Sequence, residues 1–216
     1  MAEILFGTSA RLSFPKIVEP AASTEGGVKK YSGDFIFAPD SDFVKQFGQA
    51  YSTIAQEKWK EHASAVMQMI QSDRKLRCFG NGAEKINKKT FKPYDGYEGQ
   101  FYVSANNESA PQMINADGSP VDASNTMAYQ AMARKLYGGC YVNVALKLWP
   151  QDNKHGRGIR CELVAIQFAA DGEAFGEAAP DASGFFKPVA AANLGANPFG
   201  AVAAPAAPAG LPSFFS

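Results

Sequence analysis

Residues 139–149, Gly-Cys-Tyr-Val-Asn-Val-Ala-Leu-Lys-Leu-Trp, alternate without a break. Cys140, Val142, Val144, Leu146 and Leu148 fall on one side; Tyr141, Asn143, Ala145, Lys147 and Trp149 fall on the other. Strict period two marks a strand with one face in a core. Gly156-Arg157-Gly158 then supplies a turn, and residues 159–168 read as the partner strand. Residues 30–37, Lys-Tyr-Ser-Gly-Asp-Phe-Ile-Phe, put Tyr31, Gly33, Phe35 and Phe37 on one side, residues 100–106 alternate again, and residues 10–18 read as a strand interrupted at Pro15. Pro39 stops the strand before it, and Asp40 or Ser41 can cap a long helix over about residues 41–71. Its apolar stripe is Phe43, Phe47, Tyr51 and Ile54, continued loosely by Trp59, Val66 and Ile70, which is a core-facing pattern. About five strands with one helical insertion and no βαβ alternation predict a mainly β fold. The expected architecture is a five-stranded antiparallel Greek-key barrel of the OB-fold type.

Composition divides the chain near Gly172. Beyond it Ala, Gly and Pro dominate, with Pro180, Pro188, Pro198, Pro205, Pro208 and Pro212 spaced through the segment. Such a stretch buries too little side-chain area to offset its ordering entropy. The expectation is a domain over residues 1–172 and a flexible tail over 173–216, ending in an apolar tip at Phe214 and Phe215. Of the 216 residues, 46% are apolar, enough for an ordinary core. No run reaches the roughly 18 apolar residues of a membrane helix, and Met1 to Arg11 shows no secretory pattern, so a soluble cytoplasmic protein is expected. Cys78, Cys140 and Cys161 are widely spaced, and with only His62 and His155 they offer neither a zinc site nor a disulfide scaffold.

The formal net charge is zero, but it is unevenly spread. From Arg74 to Lys92 stand seven basic residues against one acid, Glu84, a net of +6. A local field of that kind suits an anionic ligand whatever the total charge.

Catalytic motifs are missing: there is no phosphate-binding GxxxxGK[ST], no GxSxG and no HExxH. Asp34, Asp95, Glu98 and Glu162 could assemble a metal-dependent nuclease or recombination site only if the fold converged them on one cation. The sequence gives no sign that it does, and no catalytic residue, metal or cofactor is expected. Binding is better served. Around the basic window stand Phe79, Phe91, Tyr94, Tyr97, Phe101 and Tyr102, with Lys88-Lys89-Thr90-Phe91-Lys92-Pro93-Tyr94 at its centre. Unpaired nucleic acid is held by this mixture, since cations neutralise phosphates and flat rings stack on bases for about 1–3 kcal/mol each. The outward row Tyr141, Lys147 and Trp149, with Arg157 and Arg160 beyond the turn, extends it. The candidate interface is therefore Lys88, Lys89, Lys92, Lys147, Arg157 and Arg160 for phosphates and Phe91, Tyr94, Tyr97, Tyr102, Tyr141 and Trp149 for bases. A surface on which the same rings meet another protein is the alternative.

Five segments, taken in order, carry a family resemblance: Arg11–Pro20, Lys30–Phe37, Asp95–Ala105, Tyr137–Asn143 and Gly156–Gly172. Together they resemble a group of tailed-bacteriophage single-stranded-DNA-binding proteins. The resemblance implies an OB-fold with a helix inserted between strands. It also implies coating of single-stranded DNA during phage replication or recombination, in the host cytoplasm. Partner proteins would be recruited through the C-terminal tail. One departure stands out: many single-strand binders end in an acidic tail, whereas residues 183–216 here contain no acid.

Overall fold

The computed structural model describes residues 2–22, 24–154 and 156–176; His155 and the segment from 177 onward, which holds most of the expected tail, lie outside the described residues. The chain divides into Met1–Glu177 and Ala178–Ser216, and the fold that follows is that of the first unit.

Among the described residues seven strands form one sheet: β1 (Glu3–Ala21), β2 (Lys30–Phe37), β3 (Phe79–Asn81), β4 (Phe101–Asn107), β5 (Gln112–Ile114), β6 (Tyr141–Asn153) and β7 (Gly156–Ala170). Their order is β3-β4-β2-β1-β6-β7-β5. The fold is thus mainly β, but the five-stranded, all-antiparallel closed barrel expected from the sequence is corrected on three counts. Two three-residue strands are added, β5 runs parallel to β7, and no ladder joins β4 to β7. The sheet nevertheless curls until those two strands are neighbours, and a side-chain bond from Asn107 Nδ2 to the Leu163 carbonyl (3.2 Å) bridges them.

Curling is made possible by β1, which pairs with β6 through its first half and β2 through its second. Besides a shift between Lys16 and Ala21, two register shifts bend its middle, one between Gly7 and Ala10 and one between Ser13 and Lys16, where Pro15 removes a ladder donor. Ser9 and Phe14 take positive φ of 53° and 47° at these bends. Inside the curl, Val142, Val144, Leu146 and Leu148 from β6 meet Leu12, Phe35, Ile159 and Leu163, all nearly inaccessible to solvent.

The expected single helix is two. In α1 (Asp42–Trp59), Ser41 caps the N-terminus by accepting from the Val44 amide (3.4 Å). Its buried stripe of Phe43, Phe47, Tyr51, Ile54 and Trp59 packs into the core, with Phe43 stacked on Phe37 at 4.0 Å. Lys60, at φ +49°, breaks the helix, and a 3₁₀ turn over Lys60–His62 leads into α2 (Ala63–Ser72). Trp59 Nε1 donates to Asp152 Oδ2 (3.2 Å), tying the break to the far end of β6. A third helix, α3 (Thr126–Lys135), lies on the surface.

A candidate nucleic-acid interface

The basic window folds into a hairpin arm. Its rungs are backbone bonds, Tyr94 N to Lys85 O (3.0 Å) and Asn87 N to Lys92 O (2.8 Å), with Phe91 N closing the tip on Asn87 O (2.8 Å). Asn87 Oδ1 also accepts from the Lys89 amide, the local turn bond for which Asn is suited. At the tip Lys88, Lys89 and Lys92 are exposed, and among the described residues none of them has an acidic partner. Phe91 is 82% exposed and sits at φ +57°. A bulky residue in the left-handed region carries a steric cost of about 1–2 kcal/mol, and here no packing offsets it.

The base of the arm lies over the outer face of β2 and β4. Asp34, 7% exposed, accepts from Lys85 Nζ (2.6 Å), Tyr97 Oη (2.7 Å) and Ser104 Oγ. Burial, and then the Asp34 carboxylate, push the Tyr97 hydroxyl far above the usual phenol range. Tyr97 (0% exposed), Tyr102 (6%) and Ile36 make a second small core against which Tyr94 packs. Gly82 is required there, because any Cβ would collide with the Tyr97 carbonyl. Tyr97 and Tyr102 therefore offer no ring face to a ligand. Beside them stands a residue the sequence reading passed over: Phe14, 47% exposed, meets Tyr94 edge-on at 4.9 Å. The signal that points to it is Pro15, where the strand bends and turns the preceding ring outward.

A second feature is a cleft of about 720 Å³ at the open seam between β4 and β7. One wall carries Lys30, Ser32, Asn106, Asn107 and Glu108; the other carries Trp149, Gln151, Arg160 and Glu162. Arg160 is fixed by Gln151 Oε1 (3.1 Å) and the Lys75 carbonyl (2.9 Å). Trp149 contributes an indole N–H that is buried without a partner among the described residues. Lys147 lies next to the cleft, paired with Glu162 at 3.1 Å. Lys30, Asn106, Asn107 and Gln151 were not singled out from the sequence, because isolated polar residues at strand ends carry no pattern.

The remaining two candidates stand apart. Arg157 is exposed and paired with Asp152 (3.3 Å). Tyr141, at the opposite end of β6 from Trp149, lies under the Arg11 guanidinium (5.1 Å), which also covers Phe175 (4.5 Å). Residues 171–176 hold that arrangement, with Arg11 donating to the Glu173 carbonyl (2.7 Å) and the Phe175 amide to Gly138 O (2.9 Å). So the twelve sequence candidates do not share one surface. The hairpin tip gathers four, with Tyr94 behind it, and the seam cleft gathers Trp149, Arg160 and the adjoining Lys147.

The carboxylates considered for metal chemistry are dispersed: Asp34 beneath the arm, Glu162 on Lys147, and Asp95 accepting from the Gly176 amide (3.1 Å). Among the described residues no group of three or more metal-ligating side chains converges, and no described helix is long and apolar enough to cross a membrane.

The family comparison places this chain, with its curled mainly β sheet and cationic, ring-tipped arm, in a class of phage single-stranded-DNA-binding proteins. A family model described as Enterobacter phage Enc34, ssDNA-binding protein, matches residues 2–194, and the chain belongs to that family. Putative protein p50 of Acyrthosiphon pisum secondary endosymbiont phage 1 is 30% identical over 169 residues, spanning 77% of this chain and 83% of that one. The fold is shared with the single-stranded DNA-binding protein from bacteriophage Enc34 in complex with ssDNA. That match has a TM-score of 0.62 and 22% identity, over 80% of this chain and 89% of that one. The same Enc34 protein in a second structure matches with a TM-score of 0.60 over 83% and 88% of the two chains.

Proposed function

We propose that this protein binds single-stranded DNA with little sequence preference and protects it during phage replication or recombination, as a binding protein and not an enzyme. The observation that carries the reading is the tip of the arm, where an exposed phenyl ring stands among three lysines that have no acidic partner among the described residues. Family membership supports it independently. Lys88, Lys89 and Lys92 contact phosphates, Phe91 stacks on a base with Tyr94 and Phe14 behind it, and Trp149, Arg160 and Lys147 receive the strand at the seam.

The finer fold reading is an OB-type sheet left open. Strands β1, β2, β4, β6 and β7 follow the connectivity of that fold, with the seam where its last pairing would close. Such folds bind oligonucleotides over the second and third strands and the loops at their ends, which here are β2, β4 and the loops bordering the cleft. Residence in the host cytoplasm and recruitment of replication proteins by the C-terminal segment complete the proposal.

The test is a salt-dependent fluorescence titration of the full chain with poly-dT, following Trp149 emission. Quenching that weakens with salt, with a log–log slope of roughly −2 to −3.5 for three to five neutralised phosphates, supports the reading. A flat titration at low salt overturns it.

A further inference from the structure

The two charged regions differ in one respect that composition conceals. At the arm's tip Lys88, Lys89 and Lys92 have no acidic partner among the described residues, whereas Lys30 in the cleft and Lys147 beside it each already hold a carboxylate. Lys30 pairs with Glu108 (3.4 Å) on the β2–β4 wall, and Lys147 with Glu162 (3.1 Å) on the β6–β7 wall. Both acids line the cleft itself. All four side chains keep substantial exposure, between 31% and 65%. Half-exposed pairs of this kind are weak and exchange readily. Arg160 is the exception, held by an amide oxygen and a carbonyl instead of an acid.

We propose that Glu108 and Glu162 are phosphate surrogates, holding the cleft lysines until a DNA phosphate displaces them and so weakening binding at the seam. The inference rests on the single-stranded-DNA reading and adds to it a means by which affinity is set. A strand entering the cleft exchanges one anion for another on Lys30 and Lys147, leaving a displaced carboxylate beside each incoming phosphate. The attraction gained is small, and those two lysines add little to the net release of counterions. The tip of the arm, by contrast, contributes the full charge of Lys88, Lys89 and Lys92. The protein thus grips through Lys88, Lys89 and Lys92 and lets the strand exchange at the seam.

The experiment uses the full chain and a fluorescently labelled oligo-dT, read by anisotropy across a range of salt concentrations. Three proteins are compared: the unsubstituted chain, the double variant Glu108→Gln with Glu162→Gln, and a charge-matched control, Asp40→Asn with Asp42→Asn, beyond the other end of β2 from Lys30. The double variant is expected to bind about tenfold more tightly at low salt, about threefold per carboxylate. Its salt slope should steepen by about 1.4, because two lysines become free to release counterions at about 0.7 each. The control should change neither quantity appreciably. A double variant indistinguishable from the control in affinity and slope overturns the surrogate role and leaves the binding reading intact. Absence of binding by the unsubstituted chain at low salt sinks both.

Discussion

Lys85 Nζ lies 2.6 Å from Asp34 Oδ2, so an arm otherwise closed by its own backbone is anchored at the middle of β2. The same carboxylate accepts from Tyr97, which is wholly buried. This small polar centre fixes where the arm stands, and its removal is felt in stability before it is felt in binding.

Asp34→Ala strands the Tyr97 hydroxyl and the Lys85 ammonium together. A loss of about 3 kcal/mol or more is expected, measured by urea unfolding. Tyr97→Phe keeps the ring and removes one bond to a charged acceptor, for a loss of about 1.5–3 kcal/mol. An unfolding midpoint unchanged by either variant would contradict the anchoring role.

Phe91→Gly separates ligand binding from folding. Glycine accepts positive φ without the steric cost of a side chain, and an exposed ring contributes no burial. Relief of that steric cost, about 1–2 kcal/mol, balances or slightly exceeds the extra chain entropy that glycine loses, about 0.5–1 kcal/mol, so stability should be unchanged or slightly higher. Affinity for oligo-dT should fall by about 1–3 kcal/mol, the worth of one base stack. Equal affinity for parent and variant would remove Phe91 from the interface.

Replacing Lys88, Lys89 and Lys92 together by Ala should leave thermal unfolding unaffected and flatten the salt dependence. Three lost phosphate contacts correspond to a change in slope of about 2. A weaker complex with an unaltered slope would mean that these ammonium groups meet no phosphate.

Alkaline pH should loosen the protein through its thiols. Burial pushes Cys78 up to about 12 and Cys140 up to about 11 from 9.0, and Cys161, fully buried, well above it. Each folded pKa is raised, so between the unfolded and folded values the native state keeps a proton that the unfolded chain has lost. Stability from these groups is complete below about pH 9 and falls as pH climbs toward 11–12. Melting temperature followed from pH 8 to 11 should decline above 9, and the thiols should react with a disulfide reagent only on unfolding.

How far the fold could be read from the chain depended on where the pattern was set by burial. Strand β2 has the expected bounds, since Phe35 and Phe37 alternate into the core and Pro39 ends the run. The expected start of β7, Ile159, lies three residues past the observed one at Gly156. Gly156, at φ +104°, opens β7, whereas Gly158 is a strand residue kept small by the Leu76 carbonyl above it. Strands β3 and β5, at three residues each, are too short for any period to show. The apolar stripe of the helix runs on past Lys60 although the backbone does not, because Val66 and Ile70 of α2 return to the same core. Among the rings, sequence could not separate Phe91 from Tyr97, six residues apart and at opposite extremes of exposure. That difference is made by the arm folding over β2, a long-range event.

The absence of a ladder between β4 and β7 has a consequence for tolerance of base identity. A cylinder zipped all round must break several backbone hydrogen bonds to widen, whereas here the two margins are joined by the amide of Asn107. Purines and pyrimidines differ in width, and a strand received at this seam, as proposed, is expected to meet a loose margin that admits either at nearly the same energy. On that reading, indifference to base follows from the backbone itself.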